Sequence, residues 1–213
     1  MASIKDTIAA IATPPGKGGI GIVRISGPDA SRIGKEISKK ETEARVATFV
    51  SFYDSRNRPI DQGLLIRFKG PQSFTGEDLV ELQGHGGPIV MDLLLKTAIK
   101  LGARQAGPGE FSQRAFLNDK TDLVQAEAIA DLINSSSEQA ALGSVRSLQG
   151  DFSNKINHIL EKLIQVRVLT EATADFPEDD VDAEIGRDEK KILEQLLRVL
   201  EELLNGAKEG EAL

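Results

Sequence analysis

The sequence is poor in the residues that most often carry redox, metal or stacking chemistry. Its 213 residues include no Cys, no Trp, one Tyr and two His, and aromatic residues make up 4% of the chain. The absence of Cys excludes disulfides, thiolate metal ligands and cysteine nucleophiles within these residues. Two His cannot form a His-rich zinc site, and so few rings argue against a nucleic-acid surface of stacked bases. We therefore predict no metal site and assign no catalytic residue.

Long apolar runs are also missing, and the net charge is acidic. No stretch approaches the roughly 18 consecutive apolar residues of a membrane span, and the N-terminal segment lacks the basic-then-apolar pattern of a signal peptide. The 33 acidic and 26 basic residues give a net charge of −7, which disfavours a large phosphate-neutralising face. With 40% apolar and 28% charged residues, the composition is that of a globular protein. The sequence predicts a soluble, cytoplasmic protein that does not enter a membrane.

The chain changes character near residue 120. Before it, Gly and Pro separate short apolar runs; after it, Pro occurs only at Pro177 and apolar residues recur at helical spacing. We predict an α+β protein, with a mixed α/β domain over 1–120 and a helical domain over 121–213. The predicted strands cover 7–13, 20–26, 46–53, 60–68, 78–83 and 104–106, of which the third and fourth form a hairpin. The predicted helices cover 28–37, 88–101, 110–117, 123–133, a long helix from Ser135, and 188–205.

The helical half carries long apolar stripes. From Ser135, with Glu138 in capping-box spacing, apolar residues step by three or four. Gly143 and Gly150 weaken this helix locally and allow a bend there. The acidic segment 175–184 lacks a calcium-loop pattern and is interpreted as a solvated linker. Two long helices with one stripe each do not enclose a large core. We expect them to pack either on the first domain or on chain that this sequence does not contain.

The first segment that suggests chemistry is TPPGKGGIGIVRIS, residues 13–26. A Gly-rich loop between two strands brings backbone N–H groups close to an anion, and Lys17 adds charge; the alternative is a tight turn that needs positive φ. The segment is not a GxxxxGK[ST] phosphate loop, and that pattern does not occur in the chain. Arg24 either faces outward from its strand or is buried against a carboxylate, a backbone acceptor or a ligand.

Two further segments carry charged residues near the ends of predicted elements, FTGEDLVELQGHGG and GPGEFSQRAFLNDK. Glu81 is suited to accept two parallel N–H bonds from a flat heterocycle, or is a solvated edge charge. His85 is a candidate general base, or a structural loop residue. Arg114 and Lys120 bring positive charge between two short helices. Lys120 at the start of a helix is opposed by the helix dipole, and a solvated Lys is the alternative.

Together, these blocks resemble the N-terminal part of the tRNA modification GTPase family called MnmE or TrmE. The blocks are DTIAAIATPPGKGGIGIVRISG, FTGEDLVELQGHGGPIVMDLLL and RQAGPGEFSQRAFLNDKTDLVQAEAIADLI, and the resemblance covers most of 5–182. The family has an N-terminal folate-binding and dimerising domain, similar to that of the glycine-cleavage aminomethyltransferase, and a helical domain into which a GTPase domain is inserted. The resemblance implies that this chain holds the first domain and the first part of the helical domain.

The resemblance also implies a function and a ligand. The family works with the flavoprotein MnmG, also called GidA, to add a carboxymethylaminomethyl-type group to carbon five of the wobble uridine of certain tRNAs. GTP, Mg and K act only in the full-length protein. The N-terminal domain forms a homodimer and binds 5-formyl-tetrahydrofolate or a related one-carbon folate near the dimer interface. The matching ligand positions in this sequence are Arg24 in GIVRIS, Glu81 in VELQG and Lys120 in LNDK.

The residues themselves are compatible with that ligand. A reduced pterin presents an amino group and a ring N–H on one edge, which Glu81 can accept, and Arg24 and Lys120 can meet a carbonyl, formyl or glutamate oxygen. We further expect the Gly-rich loop 16–19 to let the backbone approach the ligand. Two alternatives stay open. One is a structural dimerisation and docking module whose folate site needs a further C-terminal segment, and the other is a stand-alone folate-dependent transferase.

Overall fold

A computed structural model describes residues 6–175 and 182–211. The chain divides into two compact units, the first ending at Ala126 and the second beginning at Glu127. The elements in chain order are β1 (Ile8–Ile11), β2 (Gly18–Ser26), α1 (Ala30–Ser38), β3 (Thr48–Tyr53), β4 (Pro59–Phe68), β5 (Leu79–Gly86), α2 (Pro88–Lys100), β6 (Arg104–Gln105), α3 (Glu110–Leu117), α4 (Leu123–Asn134), α5 (Glu138–Leu148), α6 (Asp151–Asp175) and α7 (Asp182–Glu211). The predicted α+β class, a mixed first part followed by helices, is confirmed.

The first unit is built on a six-stranded sheet in the order β3-β4-β5-β2-β1-β6. Its neighbouring strands are antiparallel except for β1 and β6, which are parallel. The predicted hairpin of β3 and β4 is confirmed, and the Asp54 carboxylate closes its turn by accepting the N–H groups of Arg56 and Arg58 at 2.9 Å. β5 extends past the predicted end because its pairing with β2 continues as far as Gly18 opposite Gly86.

Helices α1 and α2 cover one face of this sheet, and apolar residues of both helices and the strands form a single buried cluster. Along each strand successive side chains point to opposite faces. The alternate apolar residues of β2 and β5 are buried in that cluster, whereas Arg24 and Glu81 fall between them and belong to the other face. The cluster includes Val23, Ile25, Ile33, Val80, Leu82 and Leu94. Each such side chain contributes about 1.5–3 kcal/mol when fully buried, so packing of the core determines the face on which Arg24 and Glu81 lie.

The second unit is helical. The first long helix predicted for it begins at a different residue and is divided in two. The helix predicted from Ser135 is not continuous: it is divided into α5 and α6 at Gly150, one of the two Gly residues at which the sequence allows a bend, and Gly150 has φ +88°. That left-handed conformation suits Gly and ends a helix. The N-cap of α5 is Ser137, whose hydroxyl accepts the N–H of Ala140 at 3.1 Å, and not Ser135.

The last helix also begins earlier than predicted. α7 starts at Asp182 and not at residue 188, so the end of the acidic segment 175–184 is helical. Residues 176–181 of that segment lie outside the described residues.

The apolar stripes predicted for the helical half are present and are only partly covered. Ile159 of α6 and Leu196 of α7 are buried, and these two helices pack against one another. The exposed apolar side chains of the two helices include Phe152, Ile156, Leu160, Leu163, Leu193 and Leu197. Within the described residues, every helix is too short or too polar to cross a membrane.

Candidate functional site

The sheet places two of the predicted site residues side by side. Arg24 of β2 is the register partner of Glu81 of β5, and directly opposed residues share a face of the sheet. Nε and Nη2 of Arg24 donate to Oε1 of Glu81 at 3.0 and 2.7 Å. The Arg24 and Glu81 side chains are 27% and 13% exposed, so the pair is half-buried but accessible from solvent. Of the alternatives for Arg24, the structure supports partial burial against a carboxylate.

Two aromatic rings flank the Arg24 guanidinium. Its central carbon lies 5.3 Å from the ring centre of Phe74 and 5.9 Å from that of Phe111, within the range of cation–π attraction. Phe74 belongs to the loop between β4 and β5, and Phe111 belongs to α3. The sequence by itself does not single out either Phe, because only the folded chain brings a loop and a helix to the same strand residue.

Gln83 completes the polar row on β5. It follows Glu81 by two positions, so both side chains lie on the same face of the strand. Nε2 of Gln83 donates to Oε2 of Glu81 at 3.3 Å, near the long end of hydrogen-bond distances. The Glu81 carboxylate is therefore held by Arg24 at one oxygen and loosely by Gln83 at the other. The period of two along VELQG is the sequence signal that would identify Gln83.

Lys120 lies in the turn that follows α3. The backbone N–H of Lys120 donates to the carbonyl of Ala115 at 2.9 Å, and α4 begins only at Leu123. The expectation that Lys120 starts a helix is thus wrong: the residue closes the C-terminal end of α3, where a positive charge is favoured. Lys120 lines a hollow of about 400 Å³ in the first unit.

One loop connects Lys120 with the Arg24 pair. The stem of Lys120 covers Gly76, since a Cβ at Gly76 would lie 3.1 Å from Cγ of Lys120. Phe74 of the same loop packs on Arg24, and the Asn118 side chain holds the loop by donating to the carbonyl of Thr75 at 2.7 Å. The loop between β4 and β5 therefore contacts Arg24 through Phe74 and Lys120 through Gly76.

A buried ion network fixes this loop against α3. Arg114 is 1% exposed. Its guanidinium donates to both oxygens of Glu77 at 3.2 Å, to the Asp6 carboxylate at 2.8 Å and to Glu110 at 3.1 Å. Glu77 also accepts the hydroxyl of Ser26 at 2.7 Å. The network joins α3, the loop and β2, the three segments that supply Phe111, Phe74 and Arg24.

Ion pairs in and beside this network lower the pKa of Glu110 and of Asp6. A hydrogen bond from Arg104, with smaller contributions from the Gly107 N–H and Arg114, lowers the pKa of Glu110 from its ordinary 4.5 to about 2. The pKa of Asp6 is lowered as well, first by its hydrogen bond with Arg104. Glu110 lies in the first turn of α3, where a negative charge is also favoured by the helix dipole.

This depressed pKa predicts a pH dependence of stability. Because the pKa of Glu110 is lower in the folded than in the unfolded chain, its contribution is complete above pH 4.5 and is lost as the pH falls towards 2. We expect Glu110→Gln to reduce the free energy of unfolding at neutral pH and to have a shrinking effect as the pH falls through that window. Urea unfolding of both proteins at each pH measures the difference. A pH-independent difference between the two proteins contradicts the prediction.

Two other sequence candidates lie apart from Arg24. The Gly-rich loop joins β1 to β2 at the far end of β2, and Gly18 is about 20 Å along the strand from Arg24. Within one chain the loop therefore lies apart from the Arg24 pair, and its approach to the ligand stays a prediction. The φ of +140° at Gly16 shows that the turn itself needs Gly. His85 is exposed, and its Nδ1 lies 2.8 Å from Oδ1 of Asp61, so the ring has a carboxylate partner that orients it.

The arrangement around Arg24 suits a flat, polar organic ligand. Among residues 6–175 and 182–211, no group of three or more His, Cys, Asp and Glu side chains is placed to hold a metal. The open sheet face offers instead an acceptor carboxylate, an amide, a guanidinium and two rings within one set of contacts. Such a set binds an N–H-bearing heterocycle by hydrogen bonds to its edge and by contact with its plane.

Two family models match consecutive parts of the chain. The model described as "GTP-binding protein TrmE N-terminus" matches residues 7–120, and the model described as "MnmE helical domain" matches residues 123–213. The junction between the matches falls in the turn that carries Lys120 and leads to α4.

Curated relatives are similar over nearly the whole chain. The chain is 55% identical over 206 residues to a "tRNA modification GTPase MnmE" of Legionella pneumophila strain Corby, which covers 96% of the chain and 46% of the relative. It is 59% identical over 182 residues to the protein of that name from Pseudomonas paraeruginosa strain PA7, covering 85% and 40%. A Neisseria meningitidis serogroup C protein of the same name is 52% identical over 207 residues, covering 97% and 46%. The chain thus spans less than half the length of these relatives.

Proposed function

This chain belongs to the MnmE (TrmE) family, and from that premise we propose that it is the folate-binding, dimerising part of a tRNA modification GTPase. The ligand we propose is 5-formyl-tetrahydrofolate or a related one-carbon folate, held by Arg24, Glu81 and Lys120. The domains we propose are a folate-binding domain over 1–120 and the first part of a helical domain over 121–213.

The observation that carries the proposal is the Arg24–Glu81 pair on the open sheet face. A reduced pterin presents adjacent N–H donors on one edge, and a carboxylate accepts two such bonds in parallel. The rings of Phe74 and Phe111, which contact Arg24, supply an apolar wall for a flat ligand. Lys120 and Arg24 supply the positive charges that the formyl oxygen and the glutamate carboxylates of a folate require.

The rest of the reaction belongs, in this proposal, to the whole protein and its complex. The full-length protein hydrolyses GTP with Mg and K, works with the flavoprotein MnmG (GidA), and modifies carbon five of the wobble uridine of tRNA in the cytoplasm. The phosphate-loop pattern is absent from these 213 residues, so we assign GTP hydrolysis to parts of the relatives that this chain does not match. A net charge of −7 supports tRNA contact through the complex and not through this chain alone.

Calorimetric titration with 5-formyl-tetrahydrofolate tests the proposal, with the mass of the chain in solution measured beside it. We expect saturable binding to a homodimer. Arg24→Ala should abolish binding, while an exposed charge change such as Glu43→Gln should leave it unaltered. If a well-folded dimer binds no folate, the proposal that this chain contains the whole folate site is refuted. That result favours the alternative, a dimerisation and docking module whose pocket needs a further C-terminal segment. Turnover of a folate by the chain alone would instead favour a stand-alone transferase.

A further inference from the structure

Gln83 lies beside Glu81 on β5, and it is not one of the three ligand positions that the resemblance implies. On the premise of the proposed function, we infer that Gln83 is a specificity-determining residue: it donates a hydrogen bond to the ring carbonyl at position 4 of the pterin and so selects a 4-oxo ring over a 4-amino ring. The inference concerns which ring the site accepts, whereas the proposed function concerns whether it binds a folate.

The geometry begins with the strand. Glu81 and Gln83 are two residues apart on β5, share the open face, and approach to 3.3 Å between Oε2 and Nε2. A carboxylate can only accept hydrogen bonds, so it holds the NH₂ end of the Gln83 amide towards itself and repels the carbonyl end. The orientation of the amide is therefore set by Glu81. One N–H of Nε2 bonds to Glu81, and the second is available to a ligand beside it.

The resulting row of groups matches one edge of the pterin ring. A 2-amino-4-oxo ring presents the 2-amino N–H, the ring N–H at position 3 and the carbonyl at position 4, in the order donor, donor, acceptor. Glu81 and Gln83 present the complementary order of acceptor, acceptor and donor. In a 4-amino ring the last group is a donor, which would face the fixed N–H of Gln83, and N3 carries no hydrogen, so it no longer donates to Glu81. A buried donor left opposite a donor costs the desolvation of both groups.

The Glu81 carboxylate can accept both ring N–H groups if one of its present hydrogen bonds is released. Oε1 of Glu81 now accepts two bonds from Arg24, while Oε2 accepts only the long bond from Gln83. An oxygen of a carboxylate accepts about two hydrogen bonds. Arg24 therefore needs to release one of its two bonds for the ring to contact both oxygens, and the released N–H becomes available to an oxygen of the ligand. The rings of Phe74 and Phe111 hold the guanidinium in place during this change.

The test uses folate and its 4-amino analogue aminopterin, which differ at position 4 and, as a consequence, in the hydrogen on N3. The missing N3 hydrogen acts on Glu81 in the unaltered chain and in the Gln83 variants alike, so a change of the preference on substitution of Gln83 reports on position 4. Their dissociation constants are measured by competition against 5-formyl-tetrahydrofolate for the full chain, for Gln83→Met and for Gln83→Glu. We expect the full chain to prefer folate. Gln83→Met should reduce this preference by about tenfold, through weaker folate binding with little change for the analogue. Gln83→Glu should shift the preference further towards the analogue, because a carboxylate accepts from a 4-amino group.

Gln62→Met, an exposed residue on the adjacent strand β4, is the matched control and should keep the preference of the unaltered chain. If Gln83→Met weakens both ligands equally, Gln83 only supports Glu81 and the inference is overturned, while the proposed function stands. If the unaltered chain binds no folate, the proposed function fails and this inference fails with it. The ratio of the two constants separates these outcomes, since a merely structural role of Gln83 would leave that ratio unaltered.

Discussion

Glu81→Gln is expected to weaken the binding of 5-formyl-tetrahydrofolate by about 100-fold. The substitution retains the size of the side chain but replaces one carboxylate oxygen by an NH₂ group, which is a donor. One ring N–H then faces a donor, and the guanidinium of Arg24 loses its charged partner. Each lost or unsatisfied hydrogen bond in a half-buried site costs about 1–3 kcal/mol, and 1.4 kcal/mol corresponds to tenfold in affinity.

Calorimetry of the variant beside the unaltered chain measures this loss. Arg24 and Glu81 are paired at 2.7 Å. The double variant Arg24→Gln/Glu81→Gln should therefore lose less binding free energy than the sum of the losses of the two single variants. Glu43→Gln, the same change of charge at an exposed residue between α1 and β3, serves as the control and should bind as the unaltered chain does. Binding by Glu81→Gln within threefold of the unaltered chain would mean that the carboxylate is not the acceptor of the ring edge.

Arg114→Met is expected to reduce the free energy of unfolding of the first unit by about 3 kcal/mol. The guanidinium is 1% exposed and donates to Glu77, Asp6 and Glu110. Removing one partner of a buried ion network leaves the others uncompensated, which costs about 3–5 kcal/mol when all partners are buried. We take the lower figure because the Asp6 side chain is 45% exposed and therefore partly solvated.

Urea unfolding followed by tyrosine fluorescence reports on this unit specifically, since the single Tyr of the chain, Tyr53, lies in β3. Arg56→Met is the matched control, because it makes the same change at an exposed residue of the turn between β3 and β4, outside the network. We expect it to have a much smaller effect. Equal effects of the two substitutions would contradict a special role of burial at Arg114. Loss of Arg114 should also weaken folate binding, since its network holds the loop that carries Phe74.

The regular elements follow well from local patterns. The helix over 110–117 is confirmed at both ends, and the helix over 88–101 ends within one residue of α2. Both rest on a helical spacing of apolar residues and on Gly or Pro at their boundaries, which act within one or two turns. The boundaries that differ from the prediction have two causes, one long-range and one local. β5 is lengthened by its neighbour β2, and the break before α6 reflects the left-handed conformation of Gly150.

The candidate site was only partly predictable. The resemblance supplied Arg24, Glu81 and Lys120, but it could not show that the first two form an ion pair or that two rings flank it. Arg24 and Glu81 lie 57 positions apart, and their contact depends on the register of β2 against β5. A shift by one residue would place either side chain on the helix-covered face. Arg114 was predicted only as positive charge between two helices, because its partners come from an N-terminal residue, a loop and its own helix.

By itself the sequence determined the class of the fold, its change from mixed to helical near residue 120, and the family. Composition and short-range periodicity carry that information, because turns, strands and helices form from neighbouring residues. Only the tertiary structure decided that Arg24, Glu81, Gln83 and two Phe residues meet on one face, and that Arg114 is buried among carboxylates from three segments. Those contacts arise because the apolar residues of β2 and β5 must pack beneath α1 and α2, which forces the intervening polar residues together on the open face.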